Sequence, residues 1–320
     1  MESTGMHTLA EYQALDVFAR DGCRLALRHF ESAAEHAVVL HLHGGSYNSS
    51  LYEPYGSQLA SHGFTTYLLD FRGNGNSQGG RGMVNYIGQL EDDVADIIQV
   101  IRHKHPHTPV ILSGHSAGAT VALRYVDKYS DQALRGLVLM SPVLPGNIET
   151  ARTDIGLNRF LFRLKHWRRK TAYDPAPARF HRHMFKVSLV RALLCQVMPM
   201  LGHLKTGYFP ADPPLSQLDN RVQRYSFRMM ESLKALNYND ILGTLTKPLF
   251  ITIGRDDEVT SPLSIEAAQR WHIPFHPQNR MILVPGVDHL GIVKTASLEI
   301  TLWLNALLKV QKVAFEKVAS

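Results

Sequence analysis

PVILSGHSAGAT, residues 109–120, is the stretch whose reading decides the fold. A short apolar run, Val110-Ile111-Leu112, leads into Gly114-His115-Ser116-Ala117-Gly118, a G-x-S-x-G pattern. The pattern needs a sharp turn between a buried strand and a helix. Such a turn strains the backbone and lifts its serine clear of the sheet. Gly114 and Gly118 stand two residues either side of Ser116, where side chains are expected to collide with the opposite arm of the turn. Ala119, Val121, Ala122 and Tyr125 then recur at helical spacing. The pattern alone arises by chance. Between a β-like run and a helix-like run it marks a raised, nucleophilic serine.

Outward from this turn, strands and helices alternate. Upstream, the runs at 17–19 and 25–29 flank Asp21-Gly22, a hairpin signal. AVVLHL (37–42) and FTTYLL (64–69) read as strands buried on both faces. The first ends in His43-Gly44-Gly45-Ser46, the second in Asp70-Phe71-Arg72-Gly73-Asn74-Gly75-Asn76-Ser77. Helices are expected at 51–61 and 86–104. Downstream, apolar strands are expected at 137–140, 249–253 and 281–284, with helices at 263–271 and from 295 to about 318. Alternation predicts an α/β fold with a mostly parallel sheet covered by helices on both faces. Residues 145–240 break the pattern. They are basic, rich in proline and without a clear strand, so they read as a mostly helical lid inserted between core segments 1–144 and 241–320.

Charge is concentrated in that insertion. Residues 151–191 hold eleven Lys/Arg against two Asp/Glu, a net of +9; the remaining 23 basic and 26 acidic residues give −3. Cys23 and Cys195 form no disulfide framework, which fits a cytoplasmic chain. Residues 1–13 lack the basic and apolar regions of a secretory signal, and no apolar run reaches the roughly 18 residues of a spanning helix.

A serine hydroxyl needs a base, and the base an orienting acid. Both are expected in loops after late strands, at the carboxyl edge of the sheet. After 249–253 comes Gly254-Arg255-Asp256-Asp257-Glu258-Val259. Asp257 is favoured as the acid, with Val259 sharing its side, Asp256 as runner-up and the neighbours facing solvent. After 281–284 comes Pro285-Gly286-Val287-Asp288-His289, which puts His289 where a general base belongs. Two backbone donors for an oxyanion are expected at Ala117 and Gly45.

These motifs, in this order, resemble the α/β-hydrolase superfamily, in particular its monoacylglycerol lipase and lysophospholipase branch. The resemblance rests on His43-Gly44-Gly45, the Asp70–Ser77 loop, the turn at Ser116, Gly254-x-x-Asp257 and Gly286-x-Asp288-His289. It implies a serine hydrolase cleaving a lipid-like ester, a lid over residues 145–240, and Asp257 and Gly45 in the roles given above. Two positions depart from the branch: Asn74 stands where histidine is usual, and Ser46 where H-G-x-G has its last glycine.

Other chemistries fit less well. His41/His43, His103/His105/His107 and His181/His183 have ligand-like spacings without a carboxylate partner, so no metal is expected. No P-loop or dinucleotide fingerprint is present, so no cofactor is expected, and no nucleic-acid module accompanies the basic segment. RFLFRLKHWRRK (159–170) places Phe160, Leu161, Leu164 and Trp167 at helical spacing beside Arg168 and Arg169. It reads either as a lid helix with solvated arginines or as a peripheral membrane contact. A carboxylesterase, a thioesterase, an acyltransferase and a non-catalytic binding protein remain as alternatives.

Overall fold

A computed structural model describes residues 11–144, 186–209, 220–234 and 237–310. Its centre is an eight-stranded sheet in the order β1-β2-β4-β3-β5-β6-β10-β11. The strands are β1 Gln13–Phe18, β2 Arg24–Phe30, β3 Ala37–Leu42, β4 Phe64–Leu69, β5 Val110–His115, β6 Gly136–Met140, β10 Leu249–Gly254 and β11 Arg280–Val284. β1 and β2 join antiparallel, as do β2 and β4; the other neighbours are parallel. The hairpin expected at Asp21-Gly22 is present, with Gly22 at φ +79°.

Strand periodicity divides the core into two layers. Side chains alternate across a strand, so successive residues of one apolar run serve opposite faces. Leu40, Leu112, Leu139 and Ile251 pack on one face, with α2 (Gln89–Lys104) and α3 (Ala117–Tyr129). Val39, Ile111, Val138 and Phe250 pack on the other, with α1 (Glu53–Ser61) and the C-terminal helix Ser297–Leu308. Every residue of β3, β4, β5, β6 and β10 is buried, as strands covered on both faces must be.

Helix ends differ from expectation where local chemistry intervenes. α2 starts at Gln89 rather than residue 86, because Gly88 at φ +102° forms its N-cap and the Gln89 side chain accepts from the Asn85 N–H. The last helix is interrupted at Ala296, giving Ile292–Thr295 and Ser297–Leu308; its expected extension past 310 lies outside the described residues.

The insertion holds short strands, which the sequence did not show, beside its helices. Its described part contains a three-stranded antiparallel sheet: β7 Lys186–Val187, β8 Lys205–Tyr208 and β9 Arg224–Ser226. Strands of two to four residues are too short to show alternation, which hid them among the prolines. The helix Leu189–Val197 follows β7. Segment 159–170 lies outside the described residues.

The chain re-enters the core at Thr246 and Lys247. There the buried Asp131 carboxylate accepts from the Thr246 N–H (2.6 Å), the Lys247 N–H (2.9 Å) and the Thr246 hydroxyl (2.8 Å). Asp131 follows α3, so this carboxylate ties the two core segments together. Hydrogen bonds to a buried charge are worth more than neutral ones. Asp131→Ala is expected to lower unfolding free energy by about 2–4 kcal/mol. Urea unfolding checks this against wild type.

Candidate active site

β5 ends at His115, and the chain turns into α3 through Ser116 at φ +54°, ψ −119°. L-residues rarely adopt this backbone, so surrounding packing must hold it. The two glycines permit that packing in different ways. A Cβ on Gly114 would lie 2.5 Å from the Gly118 backbone, the collision across the turn that the sequence implied. A Cβ on Gly118 would lie 2.1 Å from the Leu42 carbonyl oxygen, so Gly118 makes room for the end of β3 rather than for the turn's other arm.

The structure brings Ser116, His289 and Asp257 together. His289 Nε2 is 2.9 Å from Ser116 Oγ, and His289 Nδ1 is 2.9 Å from Asp257 Oδ2. Asp257 Oδ1 accepts from the Val259 N–H at 2.9 Å and the Thr260 N–H at 2.7 Å. Asp257 is fully buried, whereas Asp256 is exposed, so geometry selects Asp257 from the acidic run. Gly254 makes the acid turn possible: its Cβ would lie 1.9 Å from the Val287 carbonyl oxygen. The acid and histidine loops therefore close on each other, with Asp256 N–H donating to Val287 O.

Electrostatics follow from burial and pairing. Burial disfavours a charged His289, but the Asp257 carboxylate and its hydrogen bond outweigh burial and raise the imidazole above its ordinary 6.5. For Asp257 burial acts upward; the His289 charge, its hydrogen bond and the Thr260 N–H bring the carboxyl below 3.8. Each partner thus favours the ionised form of the other.

Two residues overlooked in the sequence fix the histidine loop. Glu258 was expected to face solvent; it is buried, and its Oε2 accepts from the His289 N–H at 3.0 Å. His115, the variable residue of the turn, donates from Nε2 to the His289 carbonyl at 2.9 Å. Its Nδ1 faces the Tyr52 hydroxyl at 2.8 Å. Burial first, and then the neighbouring His289, pushes the His115 pKa down to about 3, so it stays neutral as one donor and one acceptor. The adjacency of three acids was the only signal for Glu258. Nothing in the sequence pointed to Tyr52, which reaches His115 across 63 positions.

The His43–Ser46 loop beside the serine is assembled by the other motifs. His43 donates from Nδ1 to Gly44 O (2.7 Å) and accepts from the Phe71 N–H at Nε2 (3.1 Å), which joins the two Gly-rich loops. Asp70 Oδ1 accepts from Ser49 N–H and Oδ2 from Asn76 N–H; a Cβ on Gly75 would lie 2.2 Å from that carboxylate. Gly44 N–H donates to Tyr52 Oη at 2.9 Å. Among the described residues no protein acceptor takes the N–H of Gly45 or Ala117. Gly45, Ser116 and Ala117 are half-buried, while Gly44, Ser46, His115 and Gly118 beside them are buried. A Cβ on Gly45 would sit 3.7 Å from that of Ala117, so the two residues meet beside the serine. Among the described residues no group of three His, Cys, Asp or Glu could hold a metal, and no helix is long and apolar enough to cross a membrane.

Residues 33–184, a little under half of the chain, match the family model Hydrolase_4, serine aminopeptidase, S33. The chain is 30% identical over 108 residues to a monoglyceride lipase homolog of Monkeypox virus, covering 34% of this chain and 39% of that protein. It is 28% identical over 134 residues to the Homo sapiens monoglyceride lipase, covering 42% of this chain and 44% of that protein. The matched stretch thus spans under half the length of these curated relatives. Among solved structures, a soluble variant of Saccharomyces cerevisiae monoglyceride lipase in complex with a substrate analog superposes with a TM-score of 0.64 at 17% identity, covering 94% of this chain and 97% of that one. The chain thus has the α/β-hydrolase fold and, in sequence, is similar to proteins of the monoglyceride lipase branch.

Proposed function

We propose that the chain is a serine ester hydrolase acting on a lipid-like ester, a monoacylglycerol or a lysophospholipid, through an acyl-enzyme on Ser116. The observation that carries this reading is the line from Asp257 through His289 to Ser116, each link 2.9 Å, beside two N–H groups that have no protein acceptor among the described residues. His289 takes the Ser116 proton as Oγ attacks the ester carbonyl. Gly45 and Ala117 N–H receive the developing oxyanion. His289 returns the proton to the leaving alcohol, then activates water to release the acid. Asp257 holds the tautomer with its proton on Nδ1 and stabilises the imidazolium.

Lipid character is supported by the monoglyceride lipase likenesses and by one surface. Leu189, Val190, Leu193, Val197 and Met200 are exposed on and just after the insertion helix. Beside it, Lys186, Arg191, Lys205 and Arg224 line a cavity of 410 Å³ with no carboxylate among its lining residues. An apolar face rimmed by cations suits an anionic lipid surface. The membrane contact proposed here runs through these residues as well as Phe160, Trp167, Arg168 and Arg169. Vesicle co-sedimentation should show salt-sensitive binding to anionic lipid that weakens when Val190 and Leu193 become Asp; equal binding to neutral vesicles contradicts it.

Ser116→Ala should reduce turnover by about three orders of magnitude or more and abolish fluorophosphonate labelling. Its thermal midpoint should match wild type, since both side chains meet the same strained φ. Profiling monoacylglycerols, lysophospholipids, thioesters and p-nitrophenyl esters assigns the substrate; no hydrolysis of any ester by a labelled, folded chain would refute the reading.

The pH dependence has a defined sign. His289 must be neutral to accept a proton, so kcat/KM should fall below a midpoint above 6.5. Asp257→Asn removes the charge that raises the imidazole, so the residual activity should keep its midpoint at lower pH. Linkage acts in the opposite sense on stability. A raised histidine pKa stabilises the fold below the unfolded value, and that contribution is lost as pH rises through the folded one. The lowered Asp257 stabilises above 3.8, and its contribution is lost as pH falls through its folded value. An acid limb unmoved by Asp257→Asn would count against this assignment.

A further inference from the structure

The two departures from the branch pattern, Ser46 and Asn74, meet at one side chain of the insertion. Ser46 sits at φ +71°, a backbone suited to the glycine it replaces. All three of its polar groups are held by the segment around β9. The Ser46 N–H donates to Tyr225 Oη at 2.8 Å, and its carbonyl accepts from the Val222 N–H at 3.2 Å. Its Oγ accepts from Arg221 Nη2 at 3.0 Å. The Tyr225 hydroxyl donates onward to Asn74 Oδ1 at 2.7 Å, and Asn74 Nδ2 donates to Arg72 O at 3.0 Å. Ser46, Asn74 and Tyr225 are each about 1% exposed, so these bonds have no water to compete with them.

The consequence falls on Gly45. The peptide N–H before it, at Gly44, is held by Tyr52 Oη; the one after it, at Ser46, is held by Tyr225 Oη. Both flanking amides are tied to phenols, while the Gly45 N–H, half-buried beside Ala117, has no protein acceptor among the described residues. The Phe209 ring, which stacks edge-on against Tyr225 at 5.2 Å, closes over Gly45 at 3.3 Å from where a Cβ would stand. We infer that Tyr225 is a positioning residue for the oxyanion donor, through which the insertion sets the geometry of the Gly45 N–H. Asn74 supplies its acceptor, so the substitutions at 46 and 74 and the tyrosine at 225 act as one unit. Tyr225 touches no reacting atom; it acts through Ser46.

This inference rests on the serine-hydrolase reading, and the test separates the two. Tyr225→Phe keeps the ring and removes only the hydroxyl. Turnover is measured per site titrated with a fluorophosphonate, which discounts any misfolded fraction. Expected is a fall in kcat of about tenfold with KM within about twofold, a partial loss beside the effect of deleting an oxyanion donor outright. Affinity for a trifluoromethyl ketone, whose adduct carries an oxyanion, should fall by the same factor; affinity for the matching unreactive ether should not change. Asn74→Leu, on the core side, should give a smaller loss of the same kind, and the double variant no more than Tyr225→Phe alone. Should Tyr225→Phe not fold, Asn74→Leu carries the test by the same kcat and ketone readouts. Wild-type kcat per titrated site, or equal loss for ketone and ether, overturns the inference. A wild-type chain that neither labels nor hydrolyses esters refutes instead the reading beneath it.

Discussion

A serine at φ +54° is the constraint on which this molecule depends. No L-residue rests there unaided, and the enforcement comes from close backbone contact. Gly118 lets α3 approach the Leu42 carbonyl, which fixes the helix against β3, and Gly114 lets the two arms of the turn touch. The same approach places the end of β3, and so the His43-Gly44-Gly45 loop, beside the serine. The raised hydroxyl and the glycine loop beside it are thus two results of one packing arrangement.

Around that turn, loops are held by buried polar groups more than by apolar packing. The His289 backbone is gripped at its N–H by Glu258 and at its carbonyl by His115. The amides flanking Gly45 are gripped by Tyr52 and Tyr225. A buried polar group left unpaired is costly, and a satisfied network therefore has few alternative arrangements. His115 belongs to both systems, since it joins Tyr52 to the His289 loop. Loops at the edge of a sheet, ordinarily its mobile part, are in this way tied to the rigid centre.

How much of this the sequence disclosed depended on the range of the cause. Strands of five and six residues buried on both faces announced themselves as apolar runs, and the elbow carried its own glycines, so the sheet and its helices were legible. Ser116 and His289 stood at positions dictated by chain order. The choice of Asp257 over Asp256 needed the burial of one and the exposure of the other. Glu258 was misread because a carboxylate facing a backbone amide 31 positions away leaves no periodic trace. Tyr52 and Tyr225 were invisible for the same reason: each acts across tens of residues through a single hydroxyl. The short strands of the insertion escaped because two to four residues cannot display a period of two. Residues 46 and 74 were noticed only as departures, and their common partner emerged once β9 was placed against them.

In the proposed reaction Ser116 forms a covalent bond with the acyl group during turnover. The wild-type chain can be acid-quenched during steady hydrolysis of a p-nitrophenyl ester, whose good leaving group speeds acylation so that deacylation limits turnover, and the digested peptides weighed. The acyl mass is expected on the peptide containing Ser116, at a level approaching one per chain. Turnover with that peptide unmodified, or with the acyl group on another residue, would contradict it.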